Sequence, residues 1–358
     1  MQSVLLVTAT LILPVHLLCL RVPLLKEVAG FLGSWILTLV ASYWLACFLW
    51  NRTLKRSVEP KGKAVLVTGC DTGFGHHAAK RFADDGFTVF AGCLNATCDG
   101  AKDLAKRSNV RVLQLDITKE EQVEKALETV TANLGSNEDN RHRCSGQCWP
   151  NAGITAVGPV EWNSMERIKQ IFEVNVFGHI RVTKAFLPLL KKSKGRLVMV
   201  TSGLCRVTIP GVTVYCMSKH AMLSLVDGLR RECEEEGVDV AAVEPTAYRT
   251  NMLENIACPK FVEADLKLLP DEARKLIPED SVDRWAKFLR GMFDLLTREN
   301  PMEVVDQMSF AVKDVRPRPC YRAMTLPDKF YLLFVKLFPD EVLDVFFTVF
   351  RAVAQFVK

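Results

Sequence analysis

The sequence predicts an α/β protein organised around a doubly wound parallel sheet. Residues 64–68, Ala-Val-Leu-Val-Thr, form a short apolar run typical of a buried parallel strand. A glycine-rich turn, residues 69–75, follows at once, and a helical pattern begins near His76. A second buried run covers residues 110–115. Strand runs that alternate with helical patterns favour a parallel sheet with helices on both faces.

The turn after the first strand indicates a nucleotide site. Gly69, Gly73 and Gly75 allow the backbone to approach a pyrophosphate, and the helix N-terminus that follows offers free N–H groups and a favourable dipole. A plain turn would need only one glycine. The fold predicted is therefore Rossmann-type, and Thr72 and Phe74 are assigned to the same cofactor loop.

Asp116 directly follows the second buried run. Its carboxylate is placed to accept a hydrogen bond from an adenine amino group. The alternative is a simple helix cap, a role that aspartate often has.

Tyr215 and Lys219 indicate a hydride-transfer site. They are four residues apart, and Ser202 precedes Tyr215 by thirteen residues. One helical turn puts both side chains on the same face, where the ammonium favours the phenolate and lowers a hydroxyl pKa that is ordinarily about 10. Tyr215 is then an acid or base near neutral pH. The alternative is an aromatic residue and a lysine on a solvated helix face.

Taken together, these motifs resemble the short-chain dehydrogenase/reductase family from about Lys63 to Thr250. The shared elements occur in the family's order: Thr68-Gly69-x-x-x-Gly73-x-Gly75, Asp116, Asn151-Ala152-Gly153, Asn175, Ser202, Tyr215-x-x-x-Lys219 and Pro245-x-x-x-x-Thr250. The glycine turn and the run Phe-Thr-Val-Phe-Ala-Gly-Cys-Leu are similar to the branch of 3-hydroxybutyrate dehydrogenase, 11-beta- and 17-beta-hydroxysteroid dehydrogenases type 2 and retinol dehydrogenases.

The resemblance implies a role for each catalytic residue. Tyr215 exchanges the proton of the substrate hydroxyl, and Ser202 hydrogen-bonds the reacting oxygen. Lys219 binds the nicotinamide ribose, and Asn175 holds a water in the proton relay, unless it only satisfies backbone groups. The cofactor contacts implied are Gly69, Thr72, Gly73, Phe74, Gly75, Asp116, Asn151, Ala152, Gly153, Tyr215, Lys219, Pro245 and Thr250.

The sequence favours NAD over NADP. In this fold an acid at the end of the second strand selects NAD, and an arginine there accommodates the NADP phosphate. Residues 93–95, Cys-Leu-Asn, offer neither. The nearest cations, Lys102 and Lys106, come later, on the predicted next helix. Without a base to neutralise a 2′-phosphate, NAD is the cofactor expected.

The chain divides into four predicted segments: a membrane anchor (1–52), a basic linker (53–62), the dehydrogenase domain (63–300) and an apolar C-terminal helical extension (301–358). Within the anchor, residues 1–20 and 31–50 are uncharged apolar stretches, each about long enough to cross a bilayer of roughly 30 Å. They predict two transmembrane spans, or one span and a re-entrant segment. The competing interpretation, a signal peptide, lacks a basic start and a cleavage site.

Charge and cysteine content indicate orientation and partners. Basic residues crowd the side after the second stretch, which places the catalytic domain in the cytosol. The endoplasmic reticulum is the organelle predicted, with the mitochondrial membrane as alternative. Twelve scattered cysteines fit a reducing compartment, and no spacing predicts a metal site. A net charge of +5 without an aromatic-rich basic stripe favours anionic lipid over nucleic acid as a partner.

The C-terminal residues carry the prediction of substrate class. Residues 330–338 and 342–357 are rich in Phe, Leu and Val, so they either complete the core or line a lipid-facing entrance. A hydrophobic alcohol or ketone of the steroid or retinoid class is expected. The alternative, 3-hydroxybutyrate, needs a cation, for which Arg206 and Arg249 are candidates. By resemblance, a homodimer would form through helices beginning near Asn163 and Tyr215.

Three departures from the family pattern support a second alternative, a catalytically impaired cofactor-binding scaffold. Pro150 precedes Asn151 in a predicted central strand, where proline is disfavoured, and Gly146 and Gln147 weaken that strand further. Thr246 stands where the family has glycine, which would crowd the cofactor if the backbone needs a positive φ. The third departure is the missing acid after the second strand.

Overall fold

The computed structural model describes residues 57–134, 147–149, 151–155, 157–250, 259–278 and 280–356, with isolated helical positions between residues 27 and 45. Two compact units contain them, one of residues 58–338 and 346–358, the other of residues 1–57 and 339–345. The larger unit holds a seven-stranded sheet in the order β3-β2-β1-β4-β5-β6-β7. Every neighbouring pair is parallel, which confirms the predicted α/β sheet.

The strands are short and apolar because helices cover both faces of the sheet. Their bounds are β1 Ala64–Thr68, β2 Thr88–Cys93, β3 Val110–Gln114, β4 Gln147–Trp149, β5 Arg196–Val200, β6 Asp239–Pro245 and β7 Cys320–Ala323. All five residues of β1 and of β5 are buried. Thr68 pairs with Gly92, so β1 and β2 end at the same edge of the sheet.

Twelve helices occur in the described ranges. They are α1 Gly73–Asp84, α2 Asp99–Ala105, α3 Glu120–Leu134, α4 Met165–Phe172, α5 His179–Ser193, α6 Thr213–Glu232, α7 Pro259–Leu266, α8 Asp271–Lys275, α9 Ser281–Leu296, α10 Met302–Lys313, α11 Leu326–Leu337 and α12 Asp340–Phe356. A π-helical turn, Glu173–Gly178, joins α4 to α5. Phe82 and Met308 belong to the apolar core on one face of the sheet, and Phe186 and Met222 to the core on the other.

The central strand β4 has only three residues, but it pairs with both neighbours. Val65 pairs with Gln147 on one side, and Gln147 pairs with Arg196 on the other. Gln147 is therefore accommodated in the sheet. Pro150 and Gly146, on which the predicted distortion depended, lie outside the described residues.

The first part of the predicted C-terminal extension completes the sheet and its core. Helix α10 buries Val304, Val305 and Met308, and β7 pairs with β6 through Tyr321 opposite Val243. An apolar stripe at helical spacing therefore continues the core beyond residue 300. Only α11 and α12 retain the exposed apolar character expected of an extension.

Helix α11 presents large apolar side chains to the surface. Phe330 and Leu337 are each 69% exposed. Thr325 and Asp328 cap the helix reciprocally, so its start is fixed by hydrogen bonds. Within the described ranges no helix is both long and apolar enough to span a bilayer. Residues 1–20 lie outside them, and residues 31–50 are described only at isolated positions.

Candidate active site

The glycine turn is closed on its inner side and open on its outer side. A Cβ at Gly75 would lie 2.2 Å from the Gly69 carbonyl oxygen, so only glycine fits there. Gly73 has φ +62°, and a Cβ there would meet no atom within 4 Å. Thr72 is the N-cap residue of α1, but its side chain makes no capping bond to the first turn. This open space beside a helix N-terminus fits a dinucleotide pyrophosphate.

Thr68 ties the end of β1 to the loop after β4. Its Oγ1 accepts hydrogen bonds from the backbone N–H of Asn151 (2.9 Å) and of Ala152 (3.2 Å). Asn151 Nδ2 donates to the Thr68 carbonyl oxygen at 3.3 Å. The predicted Asn151-Ala152-Gly153 motif is thus brought next to the glycine turn, with the Asn151 side chain used to join the two segments.

The Phe74 side chain packs against Tyr248, in the segment after β6. Its ring packs edge-on against Tyr248, with centroids 5.9 Å apart. The Tyr248 hydroxyl donates to Glu303 Oε2 at 3.0 Å, and Arg298 donates to that hydroxyl at 2.8 Å. Phe74 therefore anchors the segment after Pro245 to α1, a function that the sequence analysis did not identify.

Asp116 makes the local hydrogen bonds expected of a helix cap, which was the alternative to an adenine contact. Its Oδ1 accepts hydrogen bonds from the backbone N–H of Thr118 (2.9 Å) and from the Thr118 hydroxyl (2.8 Å). The other carboxylate oxygen, Oδ2, takes part in neither of these two bonds. The adenine contact assigned to Asp116 stays a prediction.

Ser202, Tyr215 and Lys219 converge beyond the end of β5. Ser202 is buried, its Oγ accepts from the backbone N–H of Leu204 at 3.2 Å, and its hydroxyl is close enough to Tyr215 to favour the phenolate. Lys219 Nζ lies 5.6 Å from the Tyr215 ring centroid and donates to the Val200 carbonyl oxygen at 3.5 Å. The spacing of one helical turn thus brings half-buried Tyr215 and buried Lys219 together, not on a solvated face.

Burial controls the proton affinities of this group. It raises the pKa of the Tyr215 phenol well above the ordinary 10.0, and the hydrogen bond to Ser202 only partly opposes this. Burial also lowers the pKa of Lys219 from 10.5 to about 8. The helical spacing predicts that Lys219 lowers the Tyr215 pKa. In the structure the loss of water around the phenol is the largest influence and raises that pKa, because an anion is the costlier form in an apolar site.

Asn175 lies in the π-helical turn and is fully buried. Its Oδ1 accepts from the Ile154 N–H at 2.9 Å, and its Nδ2 donates to the Ile154 carbonyl at 2.8 Å and to Ser218 Oγ at 3.0 Å. Ser218 Oγ in turn donates to the Tyr215 carbonyl at 2.7 Å. The side chain therefore links the loop after β4 to the helix that carries Tyr215, and its role with water stays a prediction.

His179 is a buried group that the sequence analysis did not identify. It follows Asn175 by one helical turn, it is fully buried, and neither of its ring nitrogens has a hydrogen-bond partner among the described residues. Burial and the charge of Lys219 lower its pKa to about 3. His179 is therefore neutral at ordinary pH. The signal in the sequence was a second polar residue on the same face as Asn175.

Both candidate arginines for a carboxylate substrate are engaged by acids. Glu244 is fully buried and accepts two hydrogen bonds from Arg206 Nε, at 2.9 and 3.0 Å, and one from Arg322 Nε at 2.8 Å. Burial by itself raises the pKa of Glu244, but the bonds from the two arginines outweigh it and lower the pKa. Arg249 pairs with Glu299 at 3.1 Å.

An apolar cluster lies next to Gly211, four residues before Tyr215, through its partly buried member Trp285. Its buried members are Val157, Trp162, Val262, Leu266, Leu269 and Leu289. Arg167 Nε and Asp265 Oδ2, 3.3 Å apart, join α4 to α7 at its border. Gly211, with φ +85°, lies under the Trp285 ring, where a Cβ would overlap the ring at 1.7 Å.

Thr246 does not have the positive φ on which the predicted crowding of the cofactor depended. Lys194 is the one residue other than glycine with a positive φ in the described part of the chain. Thr246 instead donates its hydroxyl to the Ala323 carbonyl at 3.4 Å. Thr250 precedes residues 251–258, which lie outside the described residues. Across the described ranges no group of His, Cys, Asp and Glu is arranged to hold a metal ion.

The chain is similar to known proteins. The model of the short chain dehydrogenase family matches residues 63–259. The mitochondrial D-beta-hydroxybutyrate dehydrogenase of Bos taurus is 44% identical over 200 residues, 54% of this chain and 57% of that protein, so the chain spans less than two thirds of that relative. Retinol dehydrogenase 16 of Rattus norvegicus is 31% identical over 310 residues, 84% of this chain and 93% of that protein.

Solved structures have the same fold. A short-chain dehydrogenase/reductase from Burkholderia phymatum, in complex with NAD, superposes with a TM-score of 0.62 at 21% identity, over 78% of this chain and 94% of that one. Both curated relatives belong to the branch named from the sequence. The chain is a member of the short-chain dehydrogenase/reductase family.

Proposed function

We propose that this protein is an NAD-dependent dehydrogenase that interconverts a hydroxyl and a ketone or aldehyde on a hydrophobic substrate. The observation that carries the proposal is the meeting of buried Ser202 and Lys219 with half-buried Tyr215, at the edge of the parallel sheet that also carries the open glycine turn. The relatives named above supply the reaction class. A scaffold without turnover would not require these three side chains to meet in one place.

The residues divide the work by chemistry. Nicotinamide, when bound, supplies or takes the hydride. Ser202 holds the substrate oxygen, and Tyr215, whose raised pKa keeps it protonated, gives its proton to that oxygen in the reducing direction. In the oxidising direction Tyr215 receives the substrate proton. Lys219 offers a charge that stabilises the phenolate then required, and its pKa of about 8 leaves it mostly protonated at neutral pH.

The surroundings favour an apolar substrate of the steroid or retinoid class. The cluster around Trp162 and Leu289 is apolar, and Arg206 and Arg249 are paired with Glu244 and Glu299 rather than directed at a ligand. The alternative substrate, 3-hydroxybutyrate, is supported by the 44% identity to a D-beta-hydroxybutyrate dehydrogenase. It requires a cation other than these two arginines.

The proposal includes a membrane and a second copy of the chain. The uncharged stretches 1–20 and 31–50 and the exposed Phe330 and Leu337 support anchoring to lipid. The predicted membrane is the endoplasmic reticulum, with the catalytic domain in the cytosol, or alternatively the mitochondrial membrane. Half-exposed Phe177 and Met217 line a groove between α4 and α6, which supports a homodimer through these helices.

The test is NADH formation by membranes that contain the chain, given NAD and a panel of steroid alcohols, retinol and 3-hydroxybutyrate. Tyr215→Phe should lower kcat by about a thousandfold, since general acid–base groups contribute roughly 10²–10⁴. The matched control is Tyr331→Phe, which keeps the ring contact to Phe346. Equal turnover in the Tyr215 variant and the control would contradict the proposed chemistry. Folded protein without turnover of any substrate would favour the scaffold.

A further inference from the structure

An acid from the glycine turn lies at the end of β2, where the adenosine ribose is bound in this fold. The carboxylate of Asp71 crosses to the residues after β2. Its Oδ2 accepts from the backbone N–H of Leu94, and its Oδ1 from that of Asn95, both at 2.9 Å. The acid that is missing from the sequence after β2 is thus supplied from 23 residues earlier in the chain.

The remaining backbone donors of this loop are also engaged. The N–H of Ala96 donates to Gln114 Oε1 at 3.0 Å, and that of Thr97 donates to Asn95 Oδ1 at 2.9 Å. Four consecutive N–H groups, from Leu94 to Thr97, therefore point at protein acceptors. An anion bound here would have to displace an existing acceptor.

The nearby lysines are paired with other acids. Lys102 pairs with Asp99 at 3.8 Å, and Lys106 pairs with Asp103 at 3.7 Å. Lys80 also contacts Asp103, at 3.0 Å. The charged side chain that contacts the residues directly after β2 is the carboxylate of Asp71.

We propose that Asp71 is the residue that selects NAD over NADP in this protein. A 2′-phosphate would meet the charge of Asp71 and find the loop amides occupied. An ionised carboxylate has about four acceptor positions. The two backbone bonds and a longer one from Cys98 Sγ to Oδ1, at 3.8 Å, use three of them, so one position on Oδ2 remains for a ribose hydroxyl of NAD. This inference rests on the part of the proposed function that concerns binding of a dinucleotide, and it does not require turnover.

Direct binding tests the proposal, with NAD and NADP titrated calorimetrically into the full-length protein. The ratio of the NADP Kd to the NAD Kd should fall at least about tenfold in Asp71→Asn, which corresponds to about 1.4 kcal/mol. Asp71→Ser removes the charge and also frees both amides, so its ratio should fall further. The fragment 2′-AMP should bind more tightly to both variants than to the unmodified chain, whereas 5′-AMP should not.

Asp99→Asn is the matched control. Asp99 is an acid at the start of α2, shortly after the loop of residues 94–97, and its side chain is fully exposed. This variant should leave the Kd ratio within about twofold. Thermal melting establishes that each variant is folded. An unchanged ratio in both folded Asp71 variants, or an equal change in Asp99→Asn, would overturn the proposal while leaving the dehydrogenase function intact. An unmodified chain that bound neither nucleotide would contradict both.

Discussion

The nucleotide side and the substrate side of this site are held together by different kinds of contact. On the nucleotide side, Thr68, Asp71 and Asn175 each make several directed hydrogen bonds to backbone groups of distant segments. On the substrate side, an apolar cluster and the ion pair of Arg167 with Asp265 hold α7 and α9. Directed bonds depend on residue identity, whereas apolar contacts depend mainly on volume and shape.

That difference explains which half can be recognised in a sequence. Replacing Asn175 removes donors and acceptors that no other side chain positions equally well. Replacing Leu289 by another apolar residue of similar size keeps most of its contacts. Motifs therefore mark the nucleotide side, and the substrate side has none.

The largest effect should come from Asn175→Ala. It leaves the Ile154 N–H and carbonyl, both held by Asn175, without their side-chain partner. An unsatisfied buried polar group costs about 1–3 kcal/mol, so the free energy of unfolding should fall by about 3 kcal/mol. Urea denaturation measures this. Exposed Asn133→Ala is the control, with a change of about 0.5 kcal/mol or less. A similar loss in both variants would contradict the special role of Asn175.

A smaller effect is expected from the pH dependence of stability. Lys219 has a folded pKa of about 8 against an ordinary 10.5, so between these values the unfolded chain binds more protons. The contribution of Lys219 to the free energy of unfolding therefore rises with pH through this window, by about 1–2 kcal/mol between pH 8 and pH 10. Lys219→Met should lose that rise, and exposed Lys192→Met should keep it. A Lys219 variant with the pH dependence of the unmodified chain would disprove the assignment.

The smallest effect should be that of Leu289→Met on the substrate side. A volume-conserving apolar change usually costs less than about 1.5 kcal/mol. We expect KM for a hydrophobic substrate to change a few-fold, with kcat and the NAD Kd unaltered. A loss of stability as large as that of Asn175→Ala would remove the distinction between the two halves.

Prediction from the sequence was most complete where a local pattern fixes a local geometry. The apolar run before Gly69 forms β1, and the spacing of Tyr215 and Lys219 brings them together on one helix. Helix α10 was assigned to an extension, although it completes the core. An apolar stripe in a sequence predicts that a helix face is buried, but it does not show which element that face packs against.

Contacts between distant residues could not be predicted. Arg206 was a candidate substrate ligand, but Glu244, 38 residues later, takes its guanidinium. Asp71 was a residue of the glycine turn with no assigned role, because its acceptor function appears only when β1 and β2 lie side by side. The spacing of two residues along the chain does not predict such a contact unless both residues belong to a known motif.

The ion cluster around Glu244 also links the segment after Ser202 to the edge strand β7. Arg206, four residues after Ser202, shares Glu244 with Arg322, which lies in β7, 78 residues beyond Glu244. A chain that stopped before β7 would contain every catalytic residue, but its buried glutamate would lack one of its two arginines. A stop codon shortly before β7 would thus affect the active site without removing any of its catalytic residues.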